Sequence, residues 1–176
     1  MSNAVFDVVR TVLAVREFQD KPIPDDVLGR IVEAAHLSAS ASNRQPWHFV
    51  LVTEPDGLRE LGKLVAHGPY IAGAAAAVVV AYEKTNPLGI SDASRAIQSM
   101  ILVAWGDKVG SNWTGFGGME GVRQRVGMPE SFEVLAVVPF GYPKRKLGLG
   151  KKKRKPLAEV FSAERFGTPV SLPGEN

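Results

Sequence analysis

The order of periodicities along the chain predicts a mixed helix-and-strand domain, α+β or α/β, with about four strands and five helices. Three observations carry that reading. Runs with apolar residues at helical spacing alternate with continuous apolar runs short enough to be strands. The 176 residues suit one domain able to bury a real core, so 1–176 is expected to form a single unit. Apolar residues make up 45% and charged residues 22%, an ordinary globular balance, and no repeat or linker divides the chain.

The first helix is predicted from Val5, Val8, Val9, Val12 and Leu13, which share one face. An extended "REFQDKPIP" leads to a second helix, started by Pro24 and Asp25 and striped by Val27, Leu28, Ile31, Val32 and Ala35. "WHFVLVT", aromatic and β-branched, predicts a strand, and 56–66 a short helix. "AAAAVVVAY" is apolar on both alternating faces and so predicts a strand buried on both sides. The next helix is expected to take Ser91 as its N-cap, with Asp92 in its first turn and Ala93, Ile97, Met100, Ile101 and Ala104 on its apolar face. "GSNWTGFGG" is too rich in glycine for an element interior and predicts a loop or irregular strand. A short helix at 119–127, the strand "FEVLAVVPFGYP" and a tail "KPLAEVFSAERFG" complete the chain. The polar end, about 168–176, is expected to be flexible or to embrace a partner.

Composition excludes several kinds of chemistry. With no cysteine there is no disulfide, thiolate metal site or cysteine nucleophile, and three scattered histidines argue against zinc. No basic leader joins an apolar stretch at the N-terminus, and "IAGAAAAVVVAY" is far shorter than the ~20 residues that span a bilayer. A soluble cytoplasmic protein with no membrane partner is expected. The net charge of +3 is concentrated between Lys144 and Lys155, too local for a nucleic-acid face, so no nucleic-acid partner is expected.

Three stretches suggest ligand contact. In "SASASNRQPWHF", Pro46 pushes Gln45 toward an extended conformation, and Ser40, Ser42, Asn43 and Gln45 crowd a connecting loop with hydroxyls and amides. Such a loop suits a ligand rich in heteroatoms, or it is a helix stop with solvated polar residues. Arg16 is either a ligand contact or an exposed arginine paired with Glu17 or Asp20. The run "GKKKRKPL" either holds an anion or is solvated.

"VREFQDKPIPDDVL", "SASASNRQPWHFVLVT", "GSNWTGF", "PFGYP" and "RKPLAEV" together resemble, in order and interval, the nitroreductase family of flavoproteins over residues 10–166. The resemblance implies an α+β sandwich with a central, mainly antiparallel sheet flanked by helices, in an intertwined homodimer that binds FMN at the subunit interface. It implies that Ser40, Ser42, Asn43 and Gln45 reach a flavin bound mainly by the other subunit. Arg16 would lie near the pyrimidine carbonyls of the flavin and stabilise negative charge on the reduced ring. Thr114 and Gly115 would bring backbone close to N5, an approach that glycine permits. Lys152 and Arg154, alternate residues of an extended segment, would hold the phosphate. The implied activity is ping-pong electron transfer from NAD(P)H, through FMN, to nitroaromatic, quinone or similar flat acceptors, and no side chain is assigned as catalytic.

The chain departs from the family at Val12, Leu13 and Ala14, where relatives usually carry Arg, Arg or His, and Ser. Two polar contacts to the phosphate and ribityl oxygens are thereby lost. The alternative is a non-catalytic flavin- or deazaflavin-binding member with a degenerate site. Gln98-Ser99 replaces the family's Gln-Asn, and the short connection from Glu83 to Ile90 leaves no room for an inserted roof over the substrate.

Overall fold

The computed structural model describes residues 3–147 and 152–170. Its elements in chain order are α1 (Ala4–Thr11), α2 (Asp25–His36), β1 (Trp47–Val52), α3 (Pro55–Leu64), β2 (Ala76–Glu83), α4 (Gly89–Gly106), β3 (Gly110–Ser111), α5 (Glu120–Arg125) and β4 (Phe132–Gly141). Short 3-10 turns occupy Ala41–Asn43, Pro69–Gly73 and Leu157–Glu159.

The sheet runs β1-β2-β4-β3 with every pair antiparallel. One cross-section passes from Val50 to Val79 to Val137, and a single bridge carries it on to Thr114. Both faces of β2 are covered, as its unbroken apolar run predicts. Val78, Val80 and Tyr82 face a layer built from α2 and α4, and Ala77, Val79 and Ala81 face the layer of α3, α5 and the 69–73 turn. In β4 the alternation is broken by a bulge opposite Val80 and Ala81, so Leu135 and Ala136 both join the α2–α4 layer. The result is an α+β sandwich with the sheet at its centre. Among the described residues no helix is long and apolar enough to cross a membrane.

Local chemistry sets the helix ends. Asn3 caps α1 by accepting the Val5 and Phe6 amides at 3.1 Å. Proline stands at the N-cap of α2 and in the first turn of α3. The expected N-cap at Ser91 is corrected: α4 starts two residues earlier, at Gly89, with Leu88 as a cap that makes no side-chain bond. A turn does the nucleating, with Asn86 accepting from Leu88 through its side chain and from Gly89 through its carbonyl. Gly89 is required there, since a Cβ would lie 2.7 Å from the Tyr82 ring. Asp92 is therefore past the capping positions, and it is buried.

Candidate functional site

Residues 14–19 run along the far edge of the sheet. Val15 donates to the Ser111 carbonyl at 2.8 Å, Phe18 bridges Pro143, and Gln19 donates to Tyr142. Gly110 permits the approach, because a Cβ there would stand 2.5 Å from Val15 Cγ2. This seam brings Arg16 to the stretch 111–115.

Arg16 is exposed, and its guanidinium carbon lies 5.9 Å from the centre of the Tyr70 ring. The neighbouring Glu17 pairs with Arg145 at 3.2 Å, and Arg16 has no carboxylate within salt-bridge distance among the described residues. Its charge is thus free to meet a ligand. Tyr70 joins it to a buried polar knot. The Asn112 amide donates to Tyr70 Oη at 2.6 Å and to the Trp113 carbonyl at 2.9 Å, leaving the phenol hydrogen for Thr114 Oγ1, 2.9 Å away. Asn112 and Thr114 are 6% and 4% exposed, so the knot is a fixed support and not a solvent-facing donor set.

Thr114 spends both backbone groups on Val137, at 3.0 and 2.9 Å. At Gly115 the chain leaves the sheet with φ +78°, and a Cβ would come within 2.6 Å of Met119 Sδ. Its carbonyl accepts the Trp113 indole N–H at 2.7 Å, whereas its own N–H has no partner among the described residues. Among the described residues the Gly115 N–H is therefore an open, exposed donor on the stretch that the Arg16 seam follows. Trp113 stacks on Phe116 next to it, with ring centres 6.3 Å apart and Phe116 71% exposed.

The Ser40–Gln45 loop lies on the other side of the sheet, just before β1. Thr114 is separated from the β1 position Val50 by β4 and β2, about 14 Å of strand spacing. Three of the loop's non-glycine residues are left-handed: Ser42, Asn43 and, against the extended conformation expected before Pro46, Gln45, with φ of 51°, 53° and 50°. Such conformations cost on the order of 1–3 kcal/mol each where the side chain does not favour them. They are held by the Gln45 amide donating to Ser40 Oγ at 2.9 Å, by the Gln45 side chain donating to Asn43 Oδ1 at 3.1 Å, and by the Ala41 amide donating to Asp92 Oδ2 at 3.1 Å. Ser42, Asn43 and Gln45 are exposed, while Pro46 is buried and Trp47 packs against the core.

In the basic segment the two candidates differ. Lys152 donates to the Val9 carbonyl at 2.6 Å, one of the carbonyls that the last turn of α1 leaves open. Burial pushes its pKa down, and the nearby Arg154 charge adds to that. Arg154 is exposed, and among the described residues it bonds the Lys153 carbonyl alone, at 3.0 Å. Lys151 of the same run lies outside the described residues.

One chain thus gathers Arg16, Thr114 and Gly115 at one sheet edge and leaves Ser40, Ser42, Asn43 and Gln45 at the other. Tyr70, which with Asn112 organises the first group, carries no signal in the sequence, since only the fold brings it near Thr114, whereas Asn112 lies within the quoted "GSNWTGF". Among the described residues no group of three or more acidic or histidine side chains could hold a metal.

The fold is thus an antiparallel α+β sandwich with an open amide and a cation at one edge of the sheet and a strained polar loop across it. The chain belongs to the nitroreductase family, whose model matches residues 10–89 and 70–142. It is 32% identical over 146 residues to an Archaeoglobus fulgidus protein provisionally named NADH dehydrogenase/NAD(P)H nitroreductase, covering 78% of this chain and 84% of that one. Among solved structures, an FMN-dependent nitroreductase of Clostridium difficile superposes with TM-score 0.85 at 20% identity, over 92% of this chain and 99% of its own. The NADPH:FMN oxidoreductase of Vibrio harveyi, complexed with NAD+, gives 0.83 at 23%, over 93% and 78%. At these identities the superpositions establish the fold.

Proposed function

We infer that this chain is an FMN-dependent NAD(P)H oxidoreductase that works as a homodimer and passes electrons to flat acceptors such as quinones or nitroaromatics. The observation that carries the reading is the open Gly115 N–H beside the unpaired Arg16, one sheet-width from a polar loop that has no ligand group to meet in its own chain. The names of the two flavin-linked structural relatives support it.

The residues present fit the ring end of FMN. Arg16 supplies a cation for a pyrimidine carbonyl, Gly115 supplies an amide for a ring nitrogen, and the Tyr70–Asn112–Thr114 knot keeps that amide in place. The loop of the second copy, with Ser40, Ser42, Asn43 and Gln45, would close the site from across the interface. The phosphate end is served more thinly. Val12, Leu13 and Ala14 offer no side-chain donor, and of the two candidate cations the Lys152 ammonium is engaged on α1, which leaves Arg154, flanked by the exposed Lys153 and Lys155. When bound, FMN would supply reversible two-electron chemistry between the nicotinamide and the acceptor. The chain's own part is to hold, orient and bias the ring, and Arg16 favours its reduced, more negative form.

An absorbance spectrum of the purified protein, before and after FMN addition and removal of excess, tests the reading. Flavin bands at one per subunit, with NAD(P)H oxidation on addition of a quinone, are the expected result. A reconstituted protein that keeps no flavin would instead favour a site converted to another ligand by the losses at residues 12–14. Flavin retained without NAD(P)H oxidation would favour a carrier.

A further inference from the structure

Asp92 is 1% exposed and lies beneath the loop that joins α2 to β1. Its Oδ2 accepts the Ala41 amide at 3.1 Å, while its Oδ1 is buried with no hydrogen-bond partner among the described residues. The Arg95 guanidinium, one turn on, reaches only to 3.5 Å from Oδ1, near enough to balance the charge but at the limit of hydrogen bonding. A buried carboxylate with an open acceptor opposes folding, so its presence calls for a use. Capping is not that use. The helix begins at Gly89, and the Asp92 amide is already bonded to the Leu88 carbonyl at 2.9 Å.

What the carboxylate touches is the loop at the point where it turns left-handed. Ala41 directly precedes Ser42 and Asn43, and Gln45 follows them. A second hold lies two turns along the same face of α4, where Ser99 Oγ stands 2.7 Å from Ser38 Oγ. Beyond Ala41, and until the Pro46 carbonyl accepts the Glu83 amide at 2.9 Å, the loop is held among the described residues by its own Ser40, Ala41, Asn43 and Gln45 bonds.

We propose that Asp92 is a positioning residue for this loop: its buried carboxylate fixes the Ala41 amide and keeps Ser42, Asn43 and Gln45 in the strained conformation that presents them outward. The clamp itself stands on this chain's geometry. That the presented groups meet a flavin of the second copy rests on the function proposed above.

Arg44, exposed in the middle of the loop, gives a direct readout, because trypsin cuts after it only when the loop opens. In Asp92→Ser, too short to reach Ala41, cleavage after Arg44 in the flavin-free protein should quicken by about tenfold or more, with cleavage after Arg59 of α3 unchanged. Asp92→Asn keeps an acceptor oxygen and should restore protection. FMN dissociation, followed by flavin fluorescence, should weaken in Asp92→Ser and recover in Asp92→Asn. Should Asp92→Ser not fold, Ala41→Pro deletes the donor instead, and Ser40 already has the extended backbone that a following proline demands, with φ −128° and ψ 158°. Equal Arg44 cleavage in wild type and variant overturns the clamp, as does a matching rise at Arg59, which would mark general destabilisation. A wild-type protein that binds no FMN overturns the flavin reading, and the Arg44 rate still decides the role of Asp92.

Discussion

Gly115 is where backbone geometry and proposed chemistry coincide. Its φ of +78° and the 2.6 Å approach of Met119 Sδ to a built Cβ both oppose any side chain. Gly115→Ala is expected to destabilise the fold by about 1–2 kcal/mol, read from denaturant midpoints, and to lower FMN retention more than that loss explains. Of the two basic candidates, Arg154 is free while Lys152 caps α1. Arg154→Ala should therefore raise the FMN dissociation constant more than Lys152→Met, and Lys152→Met should loosen α1 in amide exchange; the reverse order in a fluorescence titration would return Lys152 to the phosphate. Motif order selects Arg16, Thr114 and Gly115 as candidates, and the fold brings them to one sheet edge. Tyr70 was not legible in the sequence, because it meets Thr114 across 44 residues of chain, and a tyrosine before "IAG" looks like core.

Among the elements, the strands were the most legible. β2 and β4 carry long apolar runs, Ala76–Tyr82 and Val134–Val138, and β1 is aromatic or aliphatic apart from His48; a strand covered on both faces, as β2 is, needs little else to be read. The start of α4 was misread because capping preferences describe side chains, whereas here an Asn86 turn and the fit of Gly89 against Tyr82 set the boundary. β3 is two residues long, and its place at the sheet edge depends on the seam with residues 14–15. α5 carries a testable pH dependence. Hydrogen bonds from Arg123 above all, and from Gln124, pull the Glu120 carboxyl down to about 2 from 4.5. A carboxyl depressed in the folded state contributes stability above its unfolded pKa and loses it as pH falls through the folded one. The contribution should fade between about pH 4.5 and 2, modestly because the pair is exposed, and Glu120→Gln should flatten that part of the unfolding-versus-pH curve.

At the scale of the whole molecule, one chain leaves much apolar surface uncovered. No residue of α1 is buried, and Val5, Phe6 and Val9 are 71%, 60% and 44% exposed, with Leu37 at 72% beyond α2. Patches of this kind mark association surfaces. With a second copy proposed to complete each flavin site, Phe6→Glu should shift the protein to monomer in sedimentation velocity and release flavin at the same time. Monomers that keep one flavin each would separate the patch from the site.

The sheet-wide gap between the Ser40–Gln45 loop and the Arg16–Gly115 edge has a genetic consequence. In the proposed dimer each site would draw its two halves from different chains, so a lesion in one half and a lesion in the other could compensate. Arg16→Ala and Asn43→Ala chains, each inactive alone, should complement when unfolded together and reassembled. Half of the dimers would be mixed, and each mixed dimer would hold one site with both halves intact, giving about a quarter of the wild-type number of sites. Complementation of this kind would show that the unit of function is shared between subunits, and its absence would place each site within a single chain.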